Sequence, residues 1–156
     1  MNFTVNTIAK SLADYLAPSF SGVTFLQDPA QQKSNTPCMF LQQRYSNISL
    51  QTGGFFLRTI GLDLTYLEDY NLPDLQRRYQ TAAETLDLLM ETFPYNDGTS
   101  EGTVLIRTYD RDWRIDLDAM HYKFEIKERV SIPKEYVKMQ TIQELNEEVK
   151  IKNGEN

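Results

Sequence analysis

Between Phe56 and Phe93 the apolar residues change their period, and this change limits the fold more than any other feature of the chain. In FFLRTIGLDLTYL, Phe56, Ile60, Leu62, Leu64 and Tyr66 fall on one face, while Thr59, Asp63 and Thr65 fall on the other. A two-residue period requires a half-buried strand. In NLPDLQRRYQTAAETLDLLMETFP, steps of three and four join Leu75, Tyr79, Ala82, Leu86, Leu89 and Phe93, behind one proline and ahead of another. That is the spacing of an amphipathic helix, predicted to run to the end of LDLLMETF. A one-sided strand followed by an amphipathic helix points to a sheet that buries one face under helices.

The remaining segments extend this pattern. From Thr4 to Leu16, Val5, Ile8, Leu12, Tyr15 and Leu16 form one stripe, which predicts a first helix stopped by Pro18. VTFLQ is a short strand, DPAQQKSNT is a polar loop, and PCMFLQQRYSNISL has strand propensity through most of its length. After the turn residues of YNDGTSEG, extended character returns in VLIRTY and WRIDL. Met120, Tyr122, Phe124 and Ile126 then alternate with His121, Lys123, Glu125 and Lys127. The expected fold is α+β: one mainly antiparallel sheet with two helices packed on one face. Residues 1–132 form its single domain, and residues 133–156 form a polar C-terminal extension in which TIQE, Thr141 to Glu144, has the spacing to start a short helix.

Charge and cysteine content narrow the function classes. With 22 acidic residues against 16 Lys and Arg, the net charge of -6 opposes a role in gripping phosphate backbones. Arg77, Arg78, Arg107, Arg111 and Arg114 are interspersed with acids, so they make no nucleic-acid patch. Cys38 is the only cysteine, which excludes an intrachain disulfide and a thiolate zinc site and fits a reducing cytosol. No apolar run is long enough to span a bilayer, so no membrane role is expected.

The stretch TYDRDWRIDLDAMHYKFEIKERV is the one place that invites a chemical reading. Asp110, Asp112, Asp116 and Asp118, with His121, could serve a metal-dependent enzyme through carboxylate and imidazole ligands. The spacing opposes it: no glycine supplies a cation loop's sharp turn, and no nucleophile motif stands near His121. Asp112, Arg114 and Asp116 alternate with Trp113, Ile115 and Leu117 as on a solvated strand face, while Asp110 and Asp118 suit turns or strand ends. His121 is then an exposed strand histidine, and Cys38 a small buried hydrophobe. No cofactor motif is present, and TGGFF lacks the lysine and helix of a phosphate loop.

In order along the chain, several segments carry a family resemblance. They are the helix IAKSLADYL, the strand VTFLQ, the entry PCMFLQ at Pro37 to Gln42, RTIGLDLTY with Arg58, Asp63, Leu64 and Tyr66, the helix ending LDLLMETF, and two aromatic-rich strands. From Thr4 to Val130 the chain resembles the tail terminator family of tailed bacteriophages and prophages, in the version found in phages of Gram-positive bacteria. The resemblance implies a structural virion protein and no enzyme. It implies a homo-hexameric ring that caps the tail tube protein, ends polymerisation and docks neck or head-completion proteins, with a sheath as a further neighbour if the tail contracts. DNA would pass through the lumen without specific binding, and assembly would take place in the host bacterial cytoplasm.

A ring needs two unlike surfaces on each subunit, and loops or sheet edges are natural donors. The candidate contact residues are Asp28, Gln31, Gln32 and Lys33 in the polar loop, Gly53, Gly54 and Phe55 in the glycine turn, and Arg58, Arg111 and Trp113 on the strands. The nearest rival is another neck or head-completion component of the head-tail connector. A free-standing cytosolic binding module is the residual reading.

Overall fold

The computed structural model describes residues 2–27 and 36–130. The expected contacts at Asp28, Gln31, Gln32 and Lys33, and the expected helix at Thr141 to Glu144, lie outside the described residues. Helix α1 spans Val5–Leu16, followed by a 3-10 turn at Ala17–Ser19 and strand β1 at Thr24–Leu26. Then come β2 (Cys38–Leu50), β3 (Phe56–Leu67), α2 (Leu75–Leu89), β4 (Thr92–Tyr95), β5 (Val104–Ile115) and β6 (Met120–Val130). The six strands form one sheet in the order β1-β2-β3-β6-β5-β4. Only the short β1–β2 pair is parallel, so the α+β expectation of a mainly antiparallel sheet holds.

Helix α1 begins where Thr4 caps it: the Thr4 hydroxyl accepts from the Thr7 amide at 3.2 Å, and the Thr7 hydroxyl accepts from the Thr4 amide at 3.1 Å. Such reciprocal capping satisfies two amide donors that a helix start otherwise leaves open. Ile8, Leu12 and Leu16 of α1, with Leu75, Tyr79, Ala82, Ala83 and Leu86 of α2, bury against one sheet face. Met39, Leu41, Ile60, Leu62, Leu64, Tyr66, Met120, Tyr122, Phe124 and Ile126 supply that face. Each fully buried Leu or Phe contributes about 1.5–3 kcal/mol, so this single layer of contacts holds both helices.

In its elements the structure departs from the sequence pattern at four places. Helix α2 stops at Leu89, and Phe93 lies in β4, where it pairs with Ile106 of β5. Thr92 and Pro94 disfavour continued helix, and Pro94 is tolerated because β4 is an edge strand. Phe93 is still fully buried, so the helical spacing found the right side chain in the wrong element. Second, β3 is not half-buried: Asp63 and Thr65 are 8% and 3% exposed, since β2 and β6 flank them. Third, Leu117 does not continue the strand alternation; it is 84% exposed in the β5–β6 turn, and Asp118 lies in that same turn as expected.

The fourth correction concerns Asp110, which sits inside β5. Tyr109 pairs with Glu125 and Asp112 with Lys123, so Asp110 and Arg111 share the span opposite Phe124. This β-bulge places Asp110 at φ 49°, in the left-handed region that aspartate tolerates better than most residues. The extra residue also resets the alternation. Ile106 and Thr108 face the core before it, and Trp113 and Ile115 face the core after it.

A second bulge lies in β2, where Gln43 pairs with Leu62 and Tyr45 with Gly61, leaving Arg44 as the extra residue. It turns Tyr45 onto the sheet's other face, above Gly61. A Cβ on Gly61 would stand 2.4 Å from the Tyr45 ring, so this close approach requires glycine. The Tyr45 hydroxyl donates to the Glu125 carboxylate across β3.

Candidate functional site

The sheet face away from the helices carries the chain's polar residues in cross-strand rows. Asp63, Lys123 and Asp112 lie side by side on β3, β6 and β5, with Gln42 of β2 next to Asp63. One row on, Thr65, His121 and Arg114 are neighbours. Opposite charges directly across strands stabilise a sheet by roughly 0.2–1 kcal/mol each, which gives these rows a role in holding register.

His121 is half-buried and flanked by acids, which corrects the expectation of an exposed strand histidine. Its Nδ1 lies 3.0 Å from Asp63 Oδ2 and 3.3 Å from the Thr65 hydroxyl, and its Nε2 lies 3.4 Å from Asp116 Oδ2. The Thr65 hydroxyl donates to Asp63 Oδ1 at 3.1 Å. Nucleophilic chemistry finds no purchase here, because Thr65 is buried and its proton is committed to Asp63. Of Asp110, Asp112, Asp116, Asp118 and His121, Asp116 and His121 meet and the other three stand apart. Asp112 stands beside Lys123, Asp118 is in the turn, and Asp110 is at the bulge. Among the described residues no group of three His, Cys, Asp or Glu side chains is placed to hold a metal ion.

Arg78 on α2 and Arg107 and Arg114 on β5 pair with acids. Arg78 meets Asp74 at 3.1 Å and Glu68 at 3.6 Å, Arg107 meets Glu91 at 3.7 Å, and Arg114 meets Asp116 at 3.5 Å. Such pairing lowers the positive charge that these three side chains would offer a phosphate backbone.

Arg58, one of the candidate contact residues, spans three elements. Its guanidinium donates to the Phe3 carbonyl at 3.0 Å, the Ser46 hydroxyl at 3.2 Å and Glu128 Oε1 at 3.3 Å. Glu128 continues the apolar face of β6 and is 8% exposed, with Oε2 lacking a protein partner. Burial pushes its carboxyl above the usual range, and Arg58 pulls it partly back. The sequence held a signal for this pair: Glu128 falls on the even face of β6, as Arg58 does on β3.

Arg111 and Trp113 meet α2 at one residue. The Trp113 indole donates to Asp87 Oδ2 at 3.0 Å, the buried Tyr122 hydroxyl donates to Asp87 Oδ1 at 2.8 Å, and Arg111 donates to the Asp87 carbonyl at 3.0 Å. Burial and then the Asp87 bond push the Tyr122 phenol far above its ordinary pKa. Asp87 thus ties the end of α2 to β5 and β6. Sequence reasoning missed it, because an exposed helix aspartate off the apolar stripe carries no distinguishing signal.

Gly53 and Gly54 adopt φ 91° and 80° in the β2–β3 turn, closed by a 2.7 Å bond from the Gln51 amide to the Phe55 carbonyl. Phe55 is 46% exposed with the Arg129 guanidinium 5.3 Å from its ring centre. Next to it Ile48 and Leu50 are 51% and 66% exposed, on the apolar face but beyond the reach of the helices. The end of the β2–β3 hairpin, with β6 alongside β3 as far as Val130, therefore carries exposed apolar side chains.

Among the described residues no helix is long and apolar enough to cross a membrane. A family model described as phage tail terminator protein matches residues 7–138, most of the chain. No curated protein matches it.

Proposed function

This chain belongs to the phage tail terminator family, a family of structural tail proteins of the virion, and we propose that it works as a homo-hexameric ring in phages of Gram-positive bacteria. The ring assembles in the host cytoplasm, caps the tail tube, ends its polymerisation and provides the surface to which neck or head-completion proteins dock. A sheath joins these neighbours if the tail contracts.

The family match across residues 7–138 carries this reading. The side-chain geometry supports it. His121 is engaged with Asp63 and Asp116, and Arg78, Arg107 and Arg114 pair with acids. A net charge of -6 suits a lumen through which DNA passes without being held. The experiment is deletion of the gene, followed by imaging of the particles. Tails of irregular length without heads are expected, whereas normal tails joined to heads would sink the proposal.

A further inference from the structure

Residues 2–4 run ahead of α1 as a short strap across one end of the core. The Asn2 amide donates to Asp97 Oδ2 at 2.8 Å, and the Asn2 carbonyl accepts from the Tyr95 hydroxyl. The Phe3 ring stacks on Tyr95 with ring centres 4.7 Å apart, and the Phe3 carbonyl accepts from Arg58 Nη1 at 3.0 Å. At Thr4 the strap passes into the N-cap of α1. A terminal segment outside regular structure and tied by a few bonds opens at a much lower free energy than the sheet behind it.

Beside these contacts lies a carboxylate with one oxygen unaccounted for. Arg58 Nη1, which holds the Phe3 carbonyl, also donates to Glu128 Oε1 at 3.3 Å. The Glu128 side chain is 6% exposed, and its Oε2 has no partner among the described residues. Most buried polar atoms are bonded, so an unpaired one makes the closed arrangement less stable than it could be. Among the described residues the charged and titratable groups facing Glu128 are Arg58 on β3 and Tyr95 on β4. Lifting the strap would let water reach Oε2 while Arg58 stays on the neighbouring strand, as the direct cross-strand partner of Glu128.

We infer that residues 2–4 are a proton-linked strap, which lies closed over the Arg58–Glu128 pair while Glu128 is neutral and lifts more readily once Glu128 is ionised. Lifting bares the Tyr95 ring and the charged pair beside Ile48, the β2 partner of Arg58, and so enlarges the exposed apolar end of the hairpin. The strap works within one subunit, whether or not a ring forms. Burial raises the covered carboxyl, and Arg58 partly offsets this. The uncovered carboxyl is the stronger acid, so the closed strap binds the proton more tightly than the open one. Proton loss therefore favours opening, by about tenfold per pH unit between the uncovered and covered values, and opening levels off above the covered value.

Solvent exchange of the Asn2 amide in the full chain tests this, read by NMR as protection relative to a peptide of residues 1–7, with the Leu64 amide in the middle of the sheet as the reference for global unfolding. From about pH 4.5 upward Asp97 stays ionised, since the Thr99 hydroxyl and then the Asn2 and Thr99 amides hold it down to about 2. Asn2 protection should lie at least about a hundredfold below that of Leu64. It should fall at least about threefold as pH rises and then level. In Glu128→Gln, an isosteric change, the fall should vanish. A flat wild-type profile, a fall that survives in Glu128→Gln, or equal protection at Asn2 and Leu64 would each overturn the strap.

Discussion

Replacing Asp87 by alanine tests how the end of α2 is held to the sheet. The carboxylate accepts from Tyr122 at 2.8 Å and from Trp113 at 3.0 Å. Tyr122 is fully buried, so once Asp87 is gone its hydroxyl meets water only through the space the carboxylate vacates, and leaving it poorly paired costs about 1–3 kcal/mol. Trp113 is partly exposed, and its indole N–H is solvated at a cost of under about 1 kcal/mol. Asp87→Ala should therefore lose about 2–3 kcal/mol, a large share of the 5–15 kcal/mol typical of a domain. Asp87→Asn keeps an acceptor and loses only the added strength of the charge, about 1 kcal/mol.

Trp113 is the chain's only tryptophan, so its fluorescence reports directly on this contact during urea unfolding, with far-ultraviolet dichroism as the second probe. A loss below about 0.5 kcal/mol in Asp87→Ala, or equal losses in the two variants, would refute the reasoning.

Other expectations follow from the same structure. The Glu128 carboxyl is raised by burial, so the folded state holds its proton more tightly than the unfolded state. Its stabilising contribution is fully present below the ordinary value of 4.5 and is lost as pH rises through the folded value. In Glu128→Gln this decline should vanish from the pH profile of the urea midpoint, and an unchanged profile would contradict the assignment. Asp97 is held down to about 2, first by the Thr99 hydroxyl and then by the Asn2 and Thr99 amides. Its contribution is present above 3.8 and lost as pH falls through about 2, so acid titrations of wild type and Asp97→Asn should converge at the acid end. Gly61→Ala forces the Tyr45 ring off β3 and breaks its bond to Glu125, lowering stability by about 1 kcal/mol in thermal unfolding; an unshifted melting temperature would show the ring contact to be incidental. Calorimetric titration with magnesium, calcium, manganese or zinc should show no binding heat, and a saturable signal removed by His121→Ala would revive the metal reading.

What could be read from the sequence depended on the period of each segment. Met120 to Ile126 alternates without interruption, and β6 appears where that alternation places it. The stripe of α1 and most of that of α2 were equally plain, because one face of each meets a single apolar layer. Phe93 falls in helical phase although it lies in β4, since an edge strand that starts soon after a helix can place its first buried residue there. Alternation marks polarity and so predicts Thr65, Asp63 and His121 to be exposed, whereas burial depends on which strands lie alongside. The bulges at Arg44 and Asp110 were hidden, although in β5 the shift of core residues from even to odd positions, Thr108 to Trp113, is their trace. The Asp87 contacts join residues 26 and 35 positions apart, and no local pattern encodes such a meeting.

A tail terminator sets the length of the tails, which is measured when this protein is missing and when it is restored. Electron micrographs of the deletion should show tails of broadly scattered length without heads, and complementation in trans should restore one length and attached heads. Tails of uniform normal length, joined to heads in the absence of the protein, would contradict the account.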